Sequence, residues 1–345
     1  MSLNLHKPTY PCRPISSVRA LAATLRVSEL AVCEIASSAS TMYRTVKPKP
    51  GSTRQTFDAN TLLKPLHVKI KNVILSNVVF PSYLTGSLKG RDYKTNASLH
   101  TNKNVVICED VKGFFGSVSD KQVYDIWRNF FKFDPAVAKL LTQLTTKDGV
   151  LPQGGVPSSF LANLVLWRDE PLLQAKLQDR GITYSRYVDD IAMSSKERLA
   201  KTEKTELINA VYGMLRRNGL SANRDKHEIF PATARMITTK LIVNRKPALP
   251  AATRANVRVA VLQAEQAALG NSDVGEKLAL LNKAASRVGQ LGRFHPNLAV
   301  PLKARLTNTR RCLLMEVAMT PLVADTLVAV GDSSSIPWLN LSVDH

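Results

Sequence analysis

Two rhythms of apolar residues run along this chain. Continuous apolar runs and alternation mark strands, and spacings of three and four mark helices. The run Val105-Val106-Ile107-Cys108 predicts a buried strand, with Asp110 at its carboxyl end and Phe114 and Phe115 just after. From Gly181 to Ser195, β-favouring residues flank Asp189 and Asp190 on both sides. That pattern predicts a strand, a tight turn carrying two acids, and a second strand. Helical spacing follows Ser119, whose side chain would cap a helix burying Val123, Trp127, Phe130 and Phe131. Leu151-Pro152-Gln153-Gly154 reads as a turn, after which Ser158 or Ser159 would cap a helix burying Phe160, Leu161 and Leu164. Further helices are expected from Lys201 to Asn218, with Gly219 just past the end, and over Ala251–Leu269 and Val274–Leu291.

Composition narrows the class. The 345 residues are 44% hydrophobic, which suits a globular chain of two or three subdomains. The formal charge is +20, from 47 basic and 27 acidic residues, and argues for a polyanionic partner. The excess is local as well as global. Residues 61–105 hold Lys64, Lys69, Lys71, Lys89, Arg91, Lys94 and Lys103 against the single acid Asp92. Cys12, Cys33, Cys108 and Cys312 have neither metal-ligand spacing nor a disulfide framework, so a reducing cytoplasm is expected. There is no 18-residue apolar stretch and no signal-peptide order, so no membrane partner is expected.

The acids carry the chemistry. Adjacent carboxylates repel, and a fold that holds Asp189 and Asp190 together at a strand turn calls for a cation. Magnesium is the natural candidate, because it takes hard oxygen ligands from one or two carboxylates plus substrate phosphates. A solvated acidic turn is the bland alternative for that segment alone. A second strand-borne acid, Asp110, suits a two-metal centre for in-line phosphoryl transfer.

Taken in order, the Asp110 strand, the Leu-Pro-Gln-Gly turn and the Tyr187-Val188-Asp189-Asp190 hairpin resemble the palm motifs of reverse transcriptases. The likeness narrows to the bacterial retron-type enzymes. Residues 20–45 look like their N-terminal helical region, and Lys47–Arg54 resembles their basic fingers hairpin. Asn96-Ala97-Ser98-Leu99-His100 matches their Asn-Ala-x-x-His signature, and Gly289–Leu306 looks like their thumb. The similarity covers most of residues 20–310. One position departs: where the family usually has Val-Thr-Gly, this chain has Ile237-Thr238-Thr239.

The resemblance implies an α+β right-hand polymerase fold. Residues 1–45 would form an N-terminal helical extension. Residues 46–247 would form fingers and palm, an antiparallel sheet with helices. Residues 248–320 would be a helical thumb and 321–345 a C-terminal tail. It implies two Mg2+ ions held by Asp110 and Asp189, with Asp190 supporting and the Val111 carbonyl adding a ligand. Phe115 would exclude a 2′-hydroxyl, with a core phenylalanine as the alternative. Gln153 and Gly154 would contact the incoming nucleotide and templating pair. Lys49 and Arg54 would hold its triphosphate, with Lys47 competing for the place of Lys49, and Lys226 would be a general acid toward pyrophosphate. Asn96 and His100 would make an RNA or a structural contact. Arg287 and Arg293 belong to a set of basic residues that would touch phosphates. Asn223–Phe230 would return as a strand or loop beside the acids.

The implied function is RNA-directed DNA synthesis. A cognate structured non-coding RNA would be template and primer, dNTPs the substrates and single-stranded DNA the product. An effector protein and a role in anti-phage defence would follow, in a bacterial cytoplasm. Another defence-associated or group II-like reverse transcriptase stays open, as does a non-catalytic RNA-binding protein with a polymerase fold.

Overall fold

The computed structural model describes residues 5–48 and 54–331, with side chains described as far as Glu316. The chain divides into two units, Met1–Pro247 and Ala248–His345.

The first unit opens with α1 (Val18–Leu25) and α2 (Glu29–Ser38). Ser17 and Ser28 cap them, each side chain accepting a first-turn N–H at 3.1 Å. β1 (Tyr43–Val46) and β2 (Thr56–Ala59) pair as an antiparallel hairpin, Tyr43 opposite Ala59 and Val46 opposite Thr56. Of the expected fingers hairpin, Lys49 lies outside the described residues and Arg54 lies inside them. Next come α3 (Leu63–Lys69), which runs on into a π-helical turn, and α4 (Tyr93–Leu99), capped by Asp92.

β3 (Val105–Asp110) is the central strand, nearly all buried. A short helix α5 (Phe114–Ser117) follows, then α6 (Asp120–Asp125), α7 (Pro135–Thr145), α8 (Ser158–Leu164) and α9 (Glu170–Asp179). Ser119 does cap α6, in a capping box with Gln122. Trp127 and Phe131 are buried and stack at 4.9 Å, so these aromatics are core. At α8 the expectation is corrected. The residue before the helix is Pro157, and Ser158 is already inside it with its hydroxyl buried. Proline fixes a φ that suits this entry to the helix, so no serine cap forms.

β4 (Ile182–Tyr187), β5 (Asp190–Ser195) and β6 (Glu228–Pro231) complete a four-stranded antiparallel sheet in the order β4-β5-β3-β6. Between β5 and β6 lies α10 (Lys201–Arg217), followed by Gly219 at φ +66°. A small hairpin of β7 (Ile237–Thr238) and β8 (Leu241–Ile242) ends the unit.

The second unit is helical: α11 (Ala251–Leu269), α12 (Val274–Gly292) and α13 (Pro296–Gly331). Val257, Val261 and Ala264 of α11, Leu281, Ala284 and Val288 of α12, and Leu302 and Leu306 of α13 are buried. Their three-and-four spacing gives each helix one apolar stripe. Among the described residues no helix is long and apolar enough to cross a membrane.

Candidate active site

Sheet register brings the acids together. β3 and β5 pair so that Asp110 stands directly opposite Asp190. β4 and β5 pair so that Tyr187 stands opposite Asp190, leaving Val188 and Asp189 as a two-residue turn. The Asp189 carbonyl accepts the Val111 N–H at 3.0 Å, which ties that turn to the end of β3. Like charges directly across a sheet destabilise it. Here three carboxylates from two strand ends share one place.

The electrostatics record that crowding. Burial raises the Asp189 carboxyl, and the Asp110 charge adds to it, while Arg54 and Lys226 pull it down. Burial by surrounding protein, then Asp189 and Asp110, push Asp190 up to about 6, against Lys226 and Lys240. Asp190 keeps an exposed surface by area, so solvent screening trims that shift. Asp110 is 5% exposed and already partnered. Its carboxylate accepts from Asn223 Nδ2 at 3.1 Å and from Lys226 Nζ at 2.9 Å.

The turn is strained and backed closely. Val188 has φ +61°, in the left-handed region that β-branched residues avoid. A two-residue hairpin turn with positive φ at its first position normally has glycine there. Behind it sits Gly86, where an added Cβ would collide with the Val188 nitrogen and the Tyr187 carbonyl carbon. The missing side chain lets the backbones approach.

Around the acids, the two aromatics separate. Phe114 is buried core, and Phe115 is half-buried at its edge. Gln153 and Gly154 touch the β1–β2 hairpin: the Gln153 carbonyl accepts the Phe57 N–H at 2.8 Å. Gly154 has φ +107°, and a Cβ there would strike the Phe57 carbonyl. The Leu-Pro-Gln-Gly turn and the hairpin bearing Arg54 are therefore one assembly. Arg54 is exposed and its charge is felt at Asp189.

Sequence comparison gives this arrangement a family. Residues 46–242 match the family described as reverse transcriptase (RNA-dependent DNA polymerase). The chain is 34% identical over 310 residues to the Retron Se72 reverse transcriptase of Salmonella heidelberg (strain 579083-10), covering 88% of this chain and 82% of that protein. This chain belongs to the retron reverse transcriptases. The Retron Ec48 reverse transcriptase of Escherichia coli is 26% identical over 299 residues, covering 81% of this chain and 72% of that one. The Retron Ec86 reverse transcriptase of the same species is 24% identical over 206 residues, covering 59% and 63%. The enzyme is accordingly an RNA-directed DNA polymerase with a polymerase fold of mixed helix and sheet.

In this retron reverse transcriptase the Asn-Ala-x-x-His segment is internal. Asn96 and His100 are 1% and 0% exposed, and their side chains make contacts inside the protein. Asn96 Nδ2 donates to Thr85 Oγ1 and to Ser185 Oγ, both at 2.8 Å. His100 shares hydrogen bonds with Ser185 of β4 and Ser194 of β5. Burial lowers its pKa to about 3, so it stays neutral there. The position that departs from the family pattern docks against the same helix. Thr239 and Lys240 both have positive φ, 47° and 65°, as a two-residue turn of type I′ requires. Thr239 Oγ1 donates to the Tyr93 carbonyl at 3.0 Å, offsetting part of the strain that glycine would avoid. Arg287 and Arg293 are exposed in the second unit, on α12 and at its C-cap, with Arg293 over the Phe294 ring.

Three contributors were not singled out from sequence: Gly86, Lys240 and Arg186. Arg186 left a signal, a charged residue within a strand pattern, whereas Gly86 and Lys240 act through contacts far apart in the chain. Asn223, which donates to Asp110, lies in the segment expected beside the acids.

Proposed function

We propose that Asp110, Asp189 and Asp190 form a two-metal centre for nucleotidyl transfer, and that the enzyme copies its own cognate structured RNA into single-stranded DNA. The observation that carries this is the cross-strand pairing of Asp110 with Asp190 beside the Asp189 turn. Residues 46–247 are read as fingers and palm, and 248–320 as a thumb.

The donor chemistry fits hard divalent ions such as Mg2+. Three carboxylates crowd one place, and the pKa values of Asp189 and Asp190 rise first through burial and then through the neighbouring negative charges. Among the described residues no group of three or more His, Cys, Asp or Glu side chains is already placed to hold a metal ion, so the three carboxylates would have to close on the ions as these bind. Magnesium typically takes one or two protein carboxylates and fills its other places with water and substrate phosphates. When bound, two such ions would lower the pKa of the primer hydroxyl and neutralise the leaving pyrophosphate. Asp110 and Asp189 would be the main ligands, with Asp190 and the Val111 carbonyl in support.

This chain's own groups do the rest. Arg54, and Lys49 on the same connection, would hold the triphosphate. Gln153 and Gly154 would set the base-pair plane against β2. Phe115 would close the space beside C2′ of the sugar. Lys226, within reach of Asp110, would donate a proton to pyrophosphate as it leaves. The basic tracts at 61–105 and in the second unit, Arg287 and Arg293 included, would grip RNA by shape and backbone. Anti-phage defence with a partner effector is carried over from the resemblance to retron enzymes.

The decisive experiment expresses the protein with its native locus and extracts the copurifying nucleic acid. The expected result is one dominant RNA joined to single-stranded DNA through a 2′-hydroxyl of a guanosine, so that RNase and then debranching enzyme release a discrete DNA band. Heterogeneous RNA without attached DNA, from protein that still extends ordinary primers, rejects the cognate-RNA reading.

A further inference from the structure

Arg186 is the residue before the Tyr187-Val188-Asp189-Asp190 turn, and it points inward. Its side chain and that of Glu170 are 0% and 1% exposed. Glu170 sits in the first turn of α9. The pair is bidentate: Arg186 Nε donates to Glu170 Oε1 and Nη2 to Oε2, both at 2.7 Å. Tyr184 Oη also donates to Glu170 Oε1 at 2.7 Å.

A buried ion pair is a weak reason for stability. Well-packed apolar residues of the same volume are often as stable or more so. The geometry gives this pair a different task. With Glu170 holding one edge of the fork, the remaining donors reach other segments. Nη1 donates to the Val188 carbonyl at 3.0 Å. Nη2 also donates to the Asn163 carbonyl in α8 at 3.0 Å. The guanidinium lies 5.9 Å from the centre of the Phe114 ring. Asn163 in turn donates to the Gly86 carbonyl at 2.9 Å, and the Arg186 carbonyl accepts the Thr85 N–H at 3.0 Å. One side chain therefore touches the helix after the Leu-Pro-Gln-Gly turn, the aromatic after the Asp110 strand, and the strained Val188.

We infer that Arg186, fixed by Glu170, is a positioning residue that holds the Val188–Asp189 turn in its left-handed conformation and so sets the Asp189 carboxylate. It rests on the reading of Asp189 as a metal ligand. Val188 is pinned between the Arg186 fork on its carbonyl and the bare Gly86 backbone on its nitrogen. Lysine cannot replace this, because a single ammonium lacks the planar fork that serves Glu170 and Val188 at once.

The test compares Arg186→Lys, Glu170→Gln, Arg186→Lys with Val188→Gly, and Asp189→Asn, using single-nucleotide incorporation on a primed RNA template across a Mg2+ titration. Arg186→Lys should slow incorporation by about 10²-fold, the size of effect that a misplaced reacting group produces. The Mg2+ concentration for half-maximal rate should rise, while RNA affinity and dNTP KM hold. Glu170→Gln should show the same signature more weakly. Val188→Gly should recover much of the Arg186→Lys loss, because glycine holds a positive φ without a clamp. A loss with an unmoved Mg2+ midpoint and no recovery by Val188→Gly makes the pair structural and overturns the inference. So does failure of both Arg186→Lys and Glu170→Gln to fold, or a wild-type rate in both. If Asp189→Asn is inactive while Arg186→Lys is normal, only the positioning role falls. If Asp189→Asn is active, the metal-ligand reading itself falls.

Discussion

Lys226 Nζ lies 2.9 Å from Asp110 Oδ2, and Asn223 Nδ2 lies 3.1 Å from the other oxygen of the same carboxylate. A cation and an amide thus hold Asp110 from the short turn that precedes β6. Lys226 is half exposed, at 51%, so it is open to solvent as well as to its partner. In this enzyme Lys226 offsets the charge of Asp110, and under the proposed mechanism it would also protonate the leaving group.

That double role separates two variants. Lys226→Leu is expected to slow nucleotide addition by about 10²-fold, within the usual range for general acids. Lys226→Arg is expected to restore the pairing with Asp110 but little of the rate, since guanidinium does not give up its proton. The check is single-turnover incorporation with an ordinary dNTP and with an analogue whose leaving group needs no proton. Equal losses on both substrates would remove the acid role.

Phe115 is expected to gate the sugar. Phe115→Ala should raise incorporation of an rNTP relative to its dNTP, read as the ratio of kcat/KM values. Phe114→Ala should instead lower stability by about 3–5 kcal/mol, because that ring is buried core. An unchanged sugar ratio in Phe115→Ala would place the gate elsewhere.

Asp190 sets a pH dependence. Its carboxyl is raised to about 6, first by burial and then by Asp189 and Asp110. A raised folded-state pKa means that the metal-free fold gains from the protonated form. That gain is fully present below the ordinary carboxylate range and is lost as pH rises through about 6. Metal needs the ionised form, so Mg2+ binding strengthens over the same interval. Melting temperature measured from pH 4 to 7, without and with Mg2+, should show the metal-induced gain growing with pH, less so in Asp190→Asn. A gain independent of pH would contradict the assignment.

The Thr239 turn yields a stability test. Thr239→Gly relieves a left-handed threonine but loses the hydrogen bond to the Tyr93 carbonyl, two effects of about 1 kcal/mol each, so the net change should be small. Thr239→Val keeps the strain and loses the bond, and should cost about 1 kcal/mol. Denaturant midpoints distinguish the two. Equal destabilisation by both would mean that the left-handed conformation costs the threonine nothing.

What sequence carried and what it hid have physical causes. The strand to Asp110 and the paired strands around Asp189 were legible because apolar runs bounded by acids have few other foldings. α11 was readable to the residue, since Pro250 precedes it and Gly270 follows. Ser158 misled because serine before an apolar helix looks like a cap, and only the backbone shows that Pro157 occupies that place. Asn96 and His100 were legible as neighbours on α4 but not as buried ones. Their partners Thr85, Ser185 and Ser194 come from three distant segments. Gly86 carried no local mark, since its role is to lack a side chain where Val188 arrives from far along the chain.

The central claim is that the carboxylates brought together by β3, β5 and the Val188–Asp189 turn are the catalytic metal centre. The most direct measurement is Mg2+-dependent extension of a primed RNA by purified Asp189→Asn, with RNA affinity measured on the same preparation. The account predicts that synthesis is abolished while RNA binding holds, because the charge lost belongs to the metal clamp and not to the basic surfaces that contact phosphate. Extension by Asp189→Asn at a rate near wild type would contradict it.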